Sequence, residues 1–335
     1  MKLKGIIIVL LLQLALQHCP AQQSNHRALL VGVANYPEAS GWDTIHSDND
    51  VELLKGVLSE TFRIETLVDG QATYGNITRA LTRLEKETRE GDTVLIHFSC
   101  HGQQMWKSDE PDSLDEALVP YDAKRSYCDK YKGENHLRDD ELADYVLNIR
   151  RKAGRNGLVV VLLDACHSGD SFRGEKLVRG VYDVFGLDTT PSIKRERKDV
   201  VCAGTEDGTA EVLFISACQS YEINSEYRAS NSKWYGSLSY AFADIYNSHA
   251  LTDMDLLKGI QKKLLENSNQ CPEFATSDTT LATNLRKTLE TARYNPDNSG
   301  GGNNRHWMPI AAASIAVVFV SFLLIIRCNG RRKRK

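Results

Sequence analysis

The stretch 158–171, LVVVLLDACHSGDS, constrains this chain more than any other. Six apolar residues, Leu158 to Leu163, run straight into Asp164, Ala165, Cys166, His167, Ser168 and Gly169. An apolar run of that length without alternation reads as a strand buried on both faces, and open α/β sheets place their sites just beyond the C-terminal ends of such strands. Cys166 therefore stands where a nucleophile would be presented. A cysteine in that place can equally be a small buried packing residue, so the assignment needs a partner elsewhere.

Upstream, strand-like and helix-like patterns alternate. Arg27 to Val33 is a β-rich apolar run, followed by a helix with Val51, Leu54 and Leu58 on one face. Phe62 to Val68 is a second strand, and Ile77, Ala80, Leu81 and Leu84 stripe a second helix. Thr93 to Phe98 is a third strand, ending at Ser99, Cys100, His101 and Gly102. Residues 103–137 are polar and loop-like; Asp139 caps a helix carrying Leu142, Val146 and Ile149; then comes the opening stretch. Residues 170–211 lack a period and hold the basic run 194–198, reading as a long exposed linker. A fifth strand over 212–218, a helix from about Trp234 to Tyr246 and another with Leu257, Ile260 and Leu264 follow. The alternation predicts an α/β fold, a mostly parallel central sheet with helices on both faces.

Neighbouring parallel strands lie about 4.8 Å apart, so residues leaving the ends of strands three and four can meet across a cleft. That pairs His101 with Cys166: the imidazole takes the thiol proton and returns it to a leaving amine. The backbone N–H of Gly102 can hold the developing oxyanion.

At these residues the chain resembles the caspase-like cysteine peptidases, and within them the metacaspases. The matching blocks are HFSCHG at 97–102, DSLDEALVPYD at 112–122, DACHSG at 164–169 and ISAC at 215–218. The resemblance implies a three-layer caspase-like sandwich, Cys166 as nucleophile and His101 as base and acid. It implies cleavage after arginine or lysine, with Asp50, Asp164 and Ser99 at the floor of the specificity pocket, although Asp50 can also cap a helix and Asp164 can also serve a turn. It implies calcium on Asp115, Asp139 and Asp140; the fourth acid usual after the nucleophile loop is absent, with Arg173 about where it should be. Cys100 replaces the usual glycine before the histidine, which raises redox sensitivity as an expectation. Lys194, Arg195, Arg197 and Lys198 suit self-cleavage by an Arg/Lys-specific enzyme. Two other readings stay open: a legumain-like peptidase or transamidase acting at Asn or Asp, and a degenerate caspase-like scaffold.

The ends carry targeting signals. Residues 1–21 have Lys2 and Lys4, an apolar stretch and then Cys19, Pro20 and Ala21, the pattern of a signal peptide, with an uncleaved anchor as the alternative. Residues 307–326 hold no charge, span roughly 30 Å as a helix and precede the basic tail 327–335. The reading is a single-pass type I membrane protein: peptidase domain 22–290 outside the cytoplasm, a flexible stalk 291–306, one transmembrane helix and a cytoplasmic tail. A removable C-terminal sorting tail has the same look. With eight cations assigned to the two ends, the remainder has 33 cations against 44 acids, a net charge of −11. That argues against nucleic acid as a partner and leaves room for basic peptides to be drawn in.

Overall fold

The computed structural model describes residues 26–106, 114–165, 172–173, 176–181, 183–187, 200–219, 222–248 and 252–293. The signal, transmembrane and tail assignments lie outside them, as does most of the stalk. Among the described residues no helix is long and apolar enough to cross a membrane.

The strands are β1 (His26–Gly32), β2 (Phe62–Val68), β3 (Thr93–Ser99), β4 (Gly102–Trp106), β5 (Leu114–Leu118), β6 (Leu137–Arg138), β7 (Leu158–Asp164), β8 (Phe172–Arg173), β9 (Lys176–Leu177), β10 (Val200–Cys202), β11 (Glu211–Ser216), β12 (Glu226–Arg228), β13 (Trp234–Gly236) and β14 (Glu273–Thr276). The helices are α1 (Ser47–Leu58), α2 (Tyr74–Glu87), α3 (Asp139–Ala153), α4 (Ser237–Asn247), α5 (Asp253–Ser268) and α6 (Thr279–Arg293). Seven strands form the main sheet in the order β10-β14-β11-β7-β3-β1-β2. Every neighbouring pair is parallel except β11 with β14, so the expected mostly parallel sheet is present.

Alternate residues of a strand face opposite sides, and here both sides are covered. Leu29, Val31, Ile96 and Val161 pack with Ile77 and Leu81 of α2 and with Leu142, Val146 and Ile149 of α3. Ala28, Leu30, Leu95 and Leu162 pack on the other face with Val51, Leu54 and Leu58 of α1, Leu238 of α4 and Leu257, Ile260 and Leu264 of α5. The helical stripes read from the sequence are the buried ones, and the three layers follow from them.

Three expectations change. The polar stretch 103–137 holds a small antiparallel sheet, β4-β5-β6, whose strands, two to five residues long, are too short to stand out as a pattern. The helix expected from Trp234 starts at Ser237, because Trp234, Tyr235 and Gly236 pair antiparallel with β12 instead. The linker 170–211 is not simply exposed: Val178, Arg179, Val181, Val184 and Phe185 are buried, and Val200–Cys202 joins the main sheet beside β14. The basic run 194–198 lies outside the described residues.

Candidate active site

The end of β3 places His101, and three contacts fix its ring and backbone. Its N–H donates to the Tyr36 hydroxyl at 3.1 Å, which itself donates to the Val119 carbonyl at 2.8 Å. Its Nε2 lies 2.9 Å from the carbonyl oxygen of Asp43, and Trp42 stacks on the ring at 5.0 Å between centroids. A carbonyl only accepts, so Nε2 carries the proton and the neutral ring keeps its lone pair on Nδ1. Nδ1 is buried without a hydrogen-bond partner among the described residues. Burial pushes the His101 pKa down to about 4, so the ring is neutral, and able to take a proton, across the physiological range.

Cys166 lies outside the described residues, as does His167. Its predecessor Ala165 follows β7, and β7 pairs with β3 so that Asp164 stands opposite Ser99. The two chemistry-bearing turns therefore leave adjacent strand ends, as the sequence implied.

Asp50, Ser99 and Asp164 come together from α1, β3 and β7, all fully buried. Asp50 does not cap its helix. Its Oδ1 accepts the Gly236 N–H at 2.8 Å and its Oδ2 accepts the Ser99 hydroxyl at 2.7 Å. Asp164 accepts from Asn224 Nδ2 at 2.9 Å and from both the N–H and the hydroxyl of Ser239 at 2.7 Å. Because the Ser239 hydroxyl proton goes to Asp164, the His97 Nε2 that sits 2.9 Å from that oxygen must donate, which fixes a second buried neutral imidazole behind the pocket. Burial lowers the His97 pKa to about 4.

Between these acids lies a side chain of the same molecule. Arg179 is 0% exposed, with Nη2 at 2.9 Å from Asp50 Oδ2 and 2.8 Å from Glu226 Oε1, and Nη1 at 3.8 Å from Asp164 Oδ1. Nη1 also donates to Ser99 Oγ. Burial pulls the guanidinium pKa down, yet Asp50, Asp164 and Glu226 outweigh it and hold that pKa above its ordinary value. Glu226 feels the same burial upward, but Arg179 and hydrogen bonds from His46 bring it down to about 2. Burial raises the Asp50 pKa to about 7, with Asp164 and Glu226 adding to the rise against the pull of Arg179. A Cβ at Gly236 would collide with Asp164 and come within 2.6 Å of Arg179 Nη1, so this packing needs glycine there.

The backbone around Arg179 is also held. Its N–H donates to the Asn224 carbonyl at 3.0 Å, and Val178 bridges antiparallel to Ser225. Its carbonyl accepts a long bond, 3.4 Å, from the N–H of Gly102. Gly180 bridges parallel to Gly102, and further on Phe185 exchanges bonds with Gln104 and Trp106 of β4.

Asp115, Asp139 and Asp140 form the expected acidic cluster, with an oxygen from each within 4.8 Å of the others. Burial first, then repulsion from Glu116, Asp140 and Asp115, drives the Asp139 pKa well up. The crowding of like charge suits a divalent cation, though three carboxylates supply only part of the six to eight oxygens calcium takes. Cys100 departs from expectation: it is buried and unbridged, and burial raises its pKa to about 12, which makes it an inert packing thiol rather than a redox-sensitive one.

Sequence reasoning did not find Arg179, Glu226, Asn224, Gly236, Trp42 or the Asp43 carbonyl. Most act through long-range burial or through backbone atoms, which leave no local pattern. Only KLVRG at 176–180, a basic residue at the end of a short apolar run, offered a signal.

A family model described as Caspase domain matches residues 25–283. The chain is 27% identical to Metacaspase-2 of Arabidopsis thaliana over 74% of this chain and 58% of that one. It is 32% identical to Metacaspase III c of Phaeodactylum tricornutum over 45% of this chain and 44% of that one. The chain spans about half the length of the curated relatives it matches. A crystal structure of a Geobacter sulfurreducens protein shares the fold, with a TM-score of 0.52 and 20% identity over 77% of this chain and 96% of that one.

Proposed function

Because this chain belongs to the caspase-domain family and is a cysteine-type peptidase, we propose that it is a metacaspase-like endopeptidase cutting after arginine or lysine, with Cys166 as nucleophile and His101 as base and acid. The observation that carries the proposal is the buried guanidinium of Arg179 between Asp50, Asp164 and Glu226. A desolvated cation needs opposite charge to offset its lost hydration, and a pocket with three acids and a glycine wall answers that need for a basic side chain. An asparagine or aspartate side chain would leave those carboxylates unmatched.

In the proposed reaction, Nδ1 of His101 takes the Cys166 proton, and the thiolate adds to the carbonyl carbon of the residue in the pocket. The Gly102 N–H supports the oxygen as charge builds on it. His101 then protonates the leaving amine, and water resolves the thioester. Fluorogenic peptides ending in Arg, Lys, Asn or Asp, offered to the full chain under reducing conditions, test this. Turnover confined to Arg and Lys, and lost in Cys166→Ala and His101→Ala, is expected; Asn-directed turnover overturns the reading.

Calcium belongs to the proposal, held by Asp115, Asp139 and Asp140. Bound there, the ion would offset most of the cluster's negative charge and tie β5 to the start of α3. The location proposed is outside the cytoplasm on a membrane, on the strength of the uncharged stretch 307–326 and the basic tail 327–335. Recovery of the full chain in the alkaline-washed membrane pellet tests it.

A further inference from the structure

His97 is a polar side chain in a layer of leucines. It stands in β3 between Leu30 of β1 and Leu162 of β7, fully buried, on the face of the sheet that α1, α4 and α5 cover. Its Nδ1 has no hydrogen-bond partner among the described residues. A buried imidazole with one nitrogen unmatched is a cost to folding that a leucine would not carry, and no step of the proposed reaction uses it. What the ring does have is one bond, from Nε2 to the Ser239 hydroxyl oxygen 2.9 Å away.

That bond is the end of a chain. Ser239 Oγ donates its own proton to Asp164 Oδ2 at 2.7 Å, and Asn224 Nδ2 donates to Asp164 Oδ1 at 2.9 Å. Gln270 Nε2 donates in turn to Asn224 Oδ1 at 2.9 Å, and Gln270 Oε1 accepts the Ser225 N–H at 3.3 Å. A carboxylate only accepts, so Asp164 sets the direction of the bonds on both sides of it. His97 could end the chain in two ways. With its proton on Nε2 it donates to Ser239, and the hydroxyl proton is left for Asp164. With its proton on Nδ1 the ring would take that hydroxyl proton for itself, Asp164 would lose a donor, and an N–H would be buried unmatched. The first arrangement makes both bonds and the second makes one, so the first prevails.

Asp164 serves the pocket by charge more than by contact. Arg179 Nη2 lies 2.9 Å from Asp50 Oδ2 and 2.8 Å from Glu226 Oε1, whereas Arg179 Nη1 is 3.8 Å from Asp164 Oδ1. That last separation is too long for a hydrogen bond, so the attraction is coulombic and depends on where the carboxylate is held. From this geometry we infer that His97 is a positioning residue for substrate specificity: through Ser239 it holds the Asp164 carboxylate in place for a basic side chain in the pocket. The inference rests on the proposed reading of the pocket and deepens it by naming the group behind its acid.

The test measures KM and kcat of the full chain on an Arg-ended fluorogenic peptide for His97→Leu, His97→Asn, His97→Gln, Ser239→Ala and the double variant of His97→Leu with Ser239→Ala. Glutamine carries an N–H to about the place of Nε2, asparagine is one methylene too short to do so, and leucine fills the space with no donor. His97→Leu and His97→Asn should each raise KM about tenfold, the size expected of one bond in a chain that ends on a charge. Their kcat should stay within about twofold of wild type, because the loss is of binding rather than of chemistry. His97→Gln should restore the wild-type KM. Ser239→Ala should raise KM at least as far, and adding His97→Leu to it should raise KM no further, the non-additivity of residues in one network. Thermal unfolding of His97→Leu should be no lower than wild type, since the unmatched nitrogen is gone; should that variant fail to fold, the comparison of glutamine with asparagine decides alone. Equal KM for His97→Gln and His97→Asn, an additive double variant, or a fall in kcat at unchanged KM overturns the inference and leaves the basic-residue peptidase standing. A wild type inactive on Arg- and Lys-ended peptides overturns the reading of the pocket itself, and the inference falls with it.

Discussion

Asp50 is the pocket residue whose charge should change within the working range of such an enzyme. Burial lifts it to about 7, whereas His101 is already neutral above about pH 5, given its depressed pKa. The acidic limb of the pH profile for Arg-ended substrates should therefore come from the pocket, not the base. KM should fall as pH rises through about 7 with kcat little changed, and Asp50→Asn should raise KM and flatten that limb; a limb surviving in the variant assigns it elsewhere. Gly236 acts at the same scale by having no side chain. Gly236→Ala puts a methyl against Asp164 and Arg179, and displacing the guanidinium by about 1 Å should lower kcat/KM for Arg-ended peptides about 100-fold. Its φ is −61°, so the backbone accepts alanine and thermal unfolding should show a folded protein.

At the scale of elements, the acidic cluster spans β5 and the first turn of α3, and its electrostatics set a sign. The folded-state pKa of Asp139 is raised above its ordinary value, so its contribution to stability is fully present below about pH 4 and is lost as pH rises through the folded value. At neutral pH the metal-free cluster is therefore a cost. Calcium should raise Tm and a chelator should reverse the rise, whereas Asp139→Asn should raise the metal-free Tm and abolish the calcium response. Asparagine can keep the bond that Asp139 Oδ1 accepts from the Asp140 N–H at 2.9 Å, so the helix start survives. Elements also show where sequence reading succeeds. The strands β1, β3 and β7 were legible because burial on both faces leaves a continuous apolar run, and the stripes of α1, α2 and α3 because burial on one face imposes a period of 3.6. Residues 103–137 and 176–187 were not, because two- to five-residue strands leave too few positions for a period to register.

Across the whole molecule, the sheet separates two apolar layers, and the site stands at one end of it, where β3 and β7 finish. Leu30→Ala, in the α1 layer, should cost about 2–5 kcal/mol by creating a cavity, read as a lower denaturant midpoint, while the Arg-over-Asn preference of the folded fraction stays unchanged. That Ser99, His101 and Asp164 come near one another was readable because β3 and β7 end side by side, whereas Asp50, on α1, came only from the resemblance to the caspase-like peptidases. Arg179 and Glu226 were not readable, since nothing local in the sequence marks which of its many charged residues the fold will bury as a set. The stacking of Trp42 on His101 has an optical consequence. An indole lying 5.0 Å from an imidazole changes its emission when that ring acquires charge, so Trp42 should report the proton transfer proposed for His101. Stopped-flow fluorescence of single turnovers, compared with a Trp42→Phe variant, should record the imidazolium forming and discharging in real time.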